Sequence, residues 1–305
     1  MERELIDWIV FWIIVAILFY IDLYVSEHRT GRITLKTSLI WSAVWIATAL
    51  SFNVFLYFNL GQEKAVEFLT GYLIEKSLSV DNLFVFLLIF QVMNVKPEYQ
   101  PHVLKWGILS AIVFRIIFIV AGVSLIKLFE PIIYVFALIL LYAAYKMAFG
   151  GEHKVDVENN WLVKIASKYL SFAPHYKGNK FFLTEGGKRY ATTMFITFLL
   201  IESSDIVFAV DSIPAIIAIT KDEFIIISSN IFAILGLRAL YFALAGVVDM
   251  FIYLKYGVAI ILFYVGVKMM ISEWYKIPTE ISLAVILFVL VSSVVLSLMF
   301  KKKEV

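Results

Sequence analysis

This chain predicts an all-α fold, a polytopic transmembrane helix bundle of about nine spans, and three observations carry that prediction. Hydrophobic residues make up 62% of the chain and charged residues 16%, against about 25% charged in soluble domains. The apolar runs reach the roughly 20 residues that a helix needs to cross a bilayer. Basic residues gather in alternate connecting loops, as topology signals do.

The spans fall near 5–25, 37–58, 66–92, 104–126, 131–149, 190–219, 223–248, 255–271 and 281–300, within a single transmembrane domain of residues 1–305. The first is preceded by Met-Glu-Arg-Glu. It lacks a basic n-region and a small-x-small cleavage site, so it is expected to be retained. Asp22 lies near its end, and Arg29, Arg32 and Lys36 follow. The third span, GYLIEKSLSVDNLFVFLLIF, carries Glu75 and Asp81, with Lys96 and Lys105 flanking the next loop. The fourth carries Arg115, and the fifth ends near Lys146. Residues 150–188 form a polar loop. Within it, NWLVKIASKYLSF puts Trp161, Leu162, Ile165, Tyr169 and Phe172 on one helical face. That pattern suits a helix on the cytoplasmic membrane surface or an amphipathic linker packed on the bundle. The sixth span, FLLIESSDIVFAVDSIPAIIAIT, carries Glu202, Asp205 and Asp211. Arg238 lies in the seventh, Lys268 in the eighth, and Lys301, Lys302 and Lys303 follow the ninth. The positive-inside rule then expects a cell-membrane protein with its N-terminus outside and its C-terminus cytoplasmic.

Composition also excludes. There is no cysteine, so disulfides and thiolate metal ligation are unavailable. His28, His102, His153 and His175 fall in loops or at span ends. A formal charge of +2 gives no reason to invoke nucleic acid. Phosphate-binding glycine loops, HExxH and nucleophile elbows are absent. The expectation is neither an enzyme nor an ATP-driven pump, with no permanently bound cofactor.

Two halves resemble each other. Glu75-KSLSV-Asp81-Asn82 matches Asp205-IVFAV-Asp211-Ser212. The next spans each hold one arginine, Arg115 and Arg238, with an Ala-Gly soon after. The following spans read LLYAAYKM and LFYVGVKM, aligning Lys146 with Lys268. Three spans thus repeat as three spans, residues 60–149 and 189–271. Because three is odd, the copies face opposite ways across the membrane. Such inverted repeats build midplane sites at the repeat interface.

Ionisable groups inside a bilayer cost at least a few kcal/mol and mark functional sites. Glu75, Asp81, Asn82, Glu202, Asp205, Asp211 and Ser212 are therefore the candidate metal site, with Asp22, Arg115 and Arg238 secondary. Against this stands a structural reading, in which Arg115, Arg238, Lys76, Lys146 or Lys268 neutralises an acid; it explains one acid better than all of them. Positions six apart on a helix differ by about 120°, so Glu75 and Asp81 do not share a face, whereas Glu75, Ser79 and Asn82 do. Either both faces are wet or the helix breaks between the acids. Pro214 favours unwinding near Asp211. Carboxylates, amide and hydroxyl oxygens are hard ligands that suit Mn²⁺, Ca²⁺ and Mg²⁺. Desolvated carboxylates also take protons readily, which gives a route to proton-coupled exchange.

EKSLSVDN and ESSDIVFAVDSIPA resemble the TerC family of integral membrane proteins, which includes Alx-type proteins, and the likeness runs from about Asp22 to Lys268. The resemblance implies manganese export, with family acids matching Glu75, Asp81, Glu202, Asp205 and Asp211. The expectation is a divalent-cation exporter whose partners are Mn²⁺, protons and the lipid bilayer, and a homo-oligomer is compatible with it. The alternatives are a membrane-insertion or assembly factor and a tellurite-stress membrane component.

Overall fold

The computed structural model describes residues 2–25, 34–150, 157, 159–172, 178–185, 187–246 and 253–299. The side chains of residues 2–7, Val25, Asp81, Glu185 and Asp211 are also outside this description. His28, His153, His175, Arg29, Arg32, Lys154, Lys177 and the terminal lysines lie outside the described residues.

The chain is helical almost throughout. Helix α1 (Glu2–Tyr20) runs into a π-helical turn (Ile21–Val25) that contains Asp22. α2 spans Leu35–Leu60, α3 Gln62–Val92, α4 Gln100–Leu128 and α5 Ile132–Phe149. The surface helix α6 (Trp161–Tyr169) precedes β1 (Ser171–Phe172), β2 (Phe182–Glu185) and β3 (Lys188–Ala191). α7 covers Thr193–Ile217, α8 Glu223–Ile234, α9 Leu237–Ala245, α10 Leu254–Met270 and α11 Thr279–Met299.

Among the described residues, five helices are long and apolar enough to cross a membrane: α2, α4, α5, α7 and α11. The pair α8 and α9, bent by 42°, makes a sixth. Among the remaining predicted spans, α10 has only 17 residues. Every span-length stretch of α3 contains Glu75, Lys76 and at least one more charge. That is a consequence of where the acids sit, since α3 is the hub of the bundle. It packs against α2, α7, α8, α9, α10 and α11. α4 lies on α7 and α8, and α5 lies on α10.

The core is apolar and close-packed. Between α2, α3 and α8, Phe52 stacks on Phe232, and Phe68 meets both rings edge-on. A second cluster joins α5 to α10 through small residues (Ala137, Ala143, Ala144) against Val258, Leu262 and Val265. Small residues let membrane helices approach closely where lipid removes the hydrophobic drive between them. Outward positions such as Ile13, Leu138, Phe263 and Phe288 remain exposed and apolar, as a lipid-facing surface requires.

Three expectations change here. First, neither acid-bearing helix breaks: α3 is continuous through Glu75 and Asp81, and α7 is continuous through Asp205 and Asp211 with Pro214 inside it. Pro214 removes the amide that would donate to the Val210 carbonyl, yet α7 continues through it to Ile217, and the Pro214 carbonyl accepts from the Ala218 amide. The break occurs instead between α8 and α9, at Gly236, where φ is +76°. A Cβ there would lie 2.4 Å from Trp45 Cδ1, so both backbone angle and space demand glycine. Second, the 150–188 loop, expected to carry one amphipathic helix, also carries strands. β3 pairs in parallel with β1 and antiparallel with β2, turning at Gly187 with φ +76°. Third, α6 stops at Tyr169, and Phe172 lies in β1 paired to Ala191. Of the predicted apolar face, Leu162 is half-buried, whereas Trp161, Ile165 and Tyr169 are exposed.

Gly236→Ala is expected to cost about 2–4 kcal/mol, from the left-handed backbone and from overpacking. Thermal unfolding in detergent measures this. The Trp45→Ala background should recover the packing share, and equal losses in both backgrounds would show that the Trp45 contact contributes nothing.

Candidate functional site

The low-dielectric interior dictates how the polar groups are arranged. An unpaired charge there is expensive, so each must find an opposite charge, a hydrogen bond or a ligand. Arg115 on α4, only 2% exposed, supplies the central positive charge. Its guanidinium pairs with Glu75 of α3 through Nη1. Nη2 reaches Asp205 Oδ1 of α7 at 3.4 Å, and Nη1 also donates to Asn230 Oδ1 of α8 at 3.4 Å. One side chain thus bridges the motif helices of both halves and a polar residue of a fourth helix.

Several oxygens on the two acid-bearing helices are left without hydrogen bonds. Glu75 Oε2, Asp205 Oδ2, both Glu202 oxygens and Ser212 Oγ are buried and accept none. The Ser110 hydroxyl lies within interaction range of Glu202, yet it donates to the Trp106 and Gly107 carbonyls. Gly107 lets α4 come this near, since a Cβ would lie 3.3 Å from Ile201 Cγ2 and 3.5 Å from Glu202 Oε1. Buried polar groups rarely go unsatisfied, so this concentration is unusual.

Asn82 is also buried, on the α3 helix that bears Glu75. The side chains of Asp81 and Asp211 lie outside the described residues. Among the described residues, no three acidic or histidine side chains stand close enough to share one metal ion. Arg115 occupies the position between Glu75 and Asp205 where such an ion would have to sit.

A second polar cluster lies apart from the first. Arg238 of α9 contacts Asp22, with Nε 3.7 Å from Oδ2 and Nη2 donating to the Asp22 carbonyl. The repeat aligned Arg238 with Arg115, but Arg238 serves Asp22 of the π-helical turn, outside either repeat. Lys76 completes this region. Its ammonium donates to the carbonyls of Ala233 (3.1 Å) and Leu235 (3.4 Å). These carbonyls lie where α8 breaks, and a cation at a helix C-terminus suits both the orphaned groups and the dipole. Lys146 is exposed, while its repeat partner Lys268 is buried and donates to Ser282 Oγ at 2.9 Å.

Sequence reasoning missed Asn230, Lys76's capping role and the tie between α6 and the site. Asn160 caps α6 through its side-chain oxygen and donates to Ser203 Oγ at 2.6 Å, next to Glu202. The run Ser228-Ser229-Asn230 inside an apolar span was the available signal for Asn230, and all three are buried. The other two contacts depend on which helices meet, which no local pattern reports.

Comparisons with known proteins agree with this architecture. The model of the integral membrane protein TerC family matches residues 60–305. An uncharacterized membrane protein of Rickettsia bellii (strain RML369-C) is 41% identical over 295 residues, covering 97% of this chain and 98% of its own. One from Myxococcus xanthus is 44% identical over 291 residues, covering 95% and 91%. Alx of Escherichia coli (strain K12), provisionally named a membrane-bound redox modulator, is 42% identical over 299 residues, covering 95% and 93%. No solved structure matches.

Removing one partner of a buried ion pair costs about 3–5 kcal/mol, because the other charge is left uncompensated. Arg115→Gln is therefore expected to lower stability by that amount in thermal unfolding. Glu75→Gln combined with Arg115→Gln should lose less than Arg115→Gln alone. A double variant as unstable as the sum of the single variants would mean that the two side chains are not coupled.

Proposed function

The chain belongs to the TerC family of integral membrane proteins, and on that premise we propose that it exports a hard divalent cation, Mn²⁺ first, through a carboxylate site between its two halves. One observation carries the reading: buried carboxylate oxygens without hydrogen bonds surround Arg115 on helices from both halves. The carboxylates of Glu75, Glu202 and Asp205 against one guanidinium leave two formal negative charges, which one divalent cation neutralises. All available donors are oxygens, which favours Mn²⁺, Mg²⁺ or Ca²⁺ over softer ions.

The packing supports the inverted-repeat part of this reading. If the two halves exchange, α3 on α8 becomes α7 on α4, and both pairings occur. α3 on α7 and α5 on α10 map onto themselves. The multi-pass chain then has its N-terminus outside and its C-terminus in the cytoplasm, following the charge distribution, and α6 rests at the cytoplasmic surface.

The transport step follows from charge balance. In the resting arrangement Arg115 is the tethered cation that keeps Glu75 and Asp205 paired. An entering ion displaces the guanidinium from these oxygens and takes their charge. Glu202 and Ser212 offer further oxygens. When the ion leaves, Arg115 re-pairs, and protons neutralise the acids that remain. Glu75 and Asp205 hold the ion beside Arg115, Glu202 stands one turn from Asp205 on α7, and Asn82, Ser212, Asp81 and Asp211, about two turns further along their helices, are assigned to the same path from the duplicated motif. Cysteine is absent, so thiol chemistry is not the route by which this chain would act on redox balance.

Purified protein in proteoliposomes should transport Mn²⁺. Saturating Mn²⁺ should also stabilise it, by about 2.7 kcal/mol at a hundredfold excess over Kd. Asp205→Asn and Glu202→Gln should each cut transport at least about tenfold and shrink the stabilisation. Intact transport in both variants would overturn the site. A wild-type protein that neither binds Mn²⁺ nor carries it, yet co-purifies with nascent membrane chains, would favour the assembly-factor alternative.

A further inference from the structure

A cavity of about 500 Å³ opens at one end of the bundle. It lies among the N-terminal ends of α3 and α11 and the C-terminal ends of α4, α7 and α10. Two of its lining charges are buried although they lie near helix ends, where water would be within reach. Glu67 of α3 is 8% exposed, and Lys268 of α10 is equally buried. The Thr220 hydroxyl, just past α7, donates to Glu67 Oε2 at 2.8 Å. Lys64 reaches the same oxygen at 3.0 Å and also bridges to Asp222. Both contacts fall on Oε2, so Oε1 keeps its lone pairs for a ligand in the cavity. Lys268 lies within the electrostatic reach of Glu67 and is held by Ser282.

The cavity connects to the acids already described through the same two helices. Glu67 precedes Glu75 by eight residues on α3, a rise of about 12 Å. Thr220 follows the helix that carries Asp205 and Asp211. Carboxylates therefore continue from the Arg115 cluster toward this end of the bundle and stop at this chamber. The opposite direction along α3 holds Asp81 and Asn82. On the charge-derived topology, the chamber faces the outside.

We propose that Glu67 is a second, outer station for the transported divalent cation, and that the chamber beside it is the vestibule through which the ion is released. The inference rests on the exporter reading above. A conducting path needs sites that bind well enough to accept an ion and weakly enough to let it go. Glu67 meets both conditions. Its carboxylate attracts a cation leaving the Arg115 cluster, and the ammonium groups of Lys64 and Lys268 keep its affinity low. Thr220 fixes the carboxylate against α7, so movement of α7 also moves this station.

The native chain has no cysteine, so a single introduced thiol reports accessibility without background. Ser272 lines the cavity away from Glu67's hydrogen bonds. In Ser272→Cys, a membrane-impermeant maleimide should label intact cells. Labelling only after lysis, or none at all, would overturn the vestibule. Glu67→Gln should reduce Mn²⁺ transport in proteoliposomes about tenfold while leaving the Mn²⁺-dependent rise in Tm within twofold of wild type. Glu75→Gln should lose both. Wild-type transport in Glu67→Gln would refute the outer station. So would parallel loss of binding and transport, which would place Glu67 in the inner site. If Glu67→Gln does not fold, Thr220→Val keeps the carboxylate and frees it from α7. It should slow transport about threefold with binding unchanged, and an unaltered rate would count against the proposal. If wild type shows no Mn²⁺ response at all, the exporter reading fails first, independently of Glu67.

Discussion

A guanidinium buried in a membrane bundle must be paired, and the pairing of Arg115 with Glu75 and Asp205 organises much of the rest. In water these contacts would contribute little. In a low-dielectric interior the attraction is stronger, and the cost of separating the partners is greater. The pair therefore acts as a fastener between α3, α4 and α7. It also holds a polar face inside a structure whose exterior is lipid-facing. The close approach at Gly107 and the burial of Asn230 both serve the same arrangement.

The second polar cluster shows how the same constraint shapes the backbone. α8 ends where Gly236 adopts a left-handed conformation against Trp45. A broken helix in a membrane leaves carbonyls that lipid cannot satisfy. Lys76 meets them from α3, and Arg238 on the far side of the break engages Asp22. Adjacent residues of one motif thus do different work. Glu75 belongs to the acid cluster, and Lys76 belongs to the broken helix. The duplicated motif has Ile206 at the position matching Lys76, and α4, the counterpart of α8, has no break to be capped. The two halves are alike in pattern but not in the use made of their charges.

Much of the fold was legible along the chain. Apolar runs located the helices, and the paired motifs located the polar interior. Reading Glu75, Asp205, Arg115 and Arg238 as buried charges was sound because hydrophobic neighbours on both sides left them nowhere else to go. Glu67 was missed because it lies at the edge of an apolar run, where an acid ordinarily reaches water. The expected unwinding at Pro214 did not occur: α7 stays continuous through it to Ile217. The small sheet after α6 went unread because its strands are four residues or fewer and show little alternation.

The sequence by itself determined that this is a multi-pass helical protein with carboxylates inside the membrane, because burying apolar runs and isolating charges are properties of local composition. The tertiary structure decided which charge meets which. Arg115 and Arg238 occupy matching places in the two halves, yet one binds the duplicated acids and the other binds Asp22. That choice depends on which helices stand beside each arginine across separations of 40 to 216 residues. An ion pair is settled by distance in space, and spacing along a chain carries that information only within a single helix.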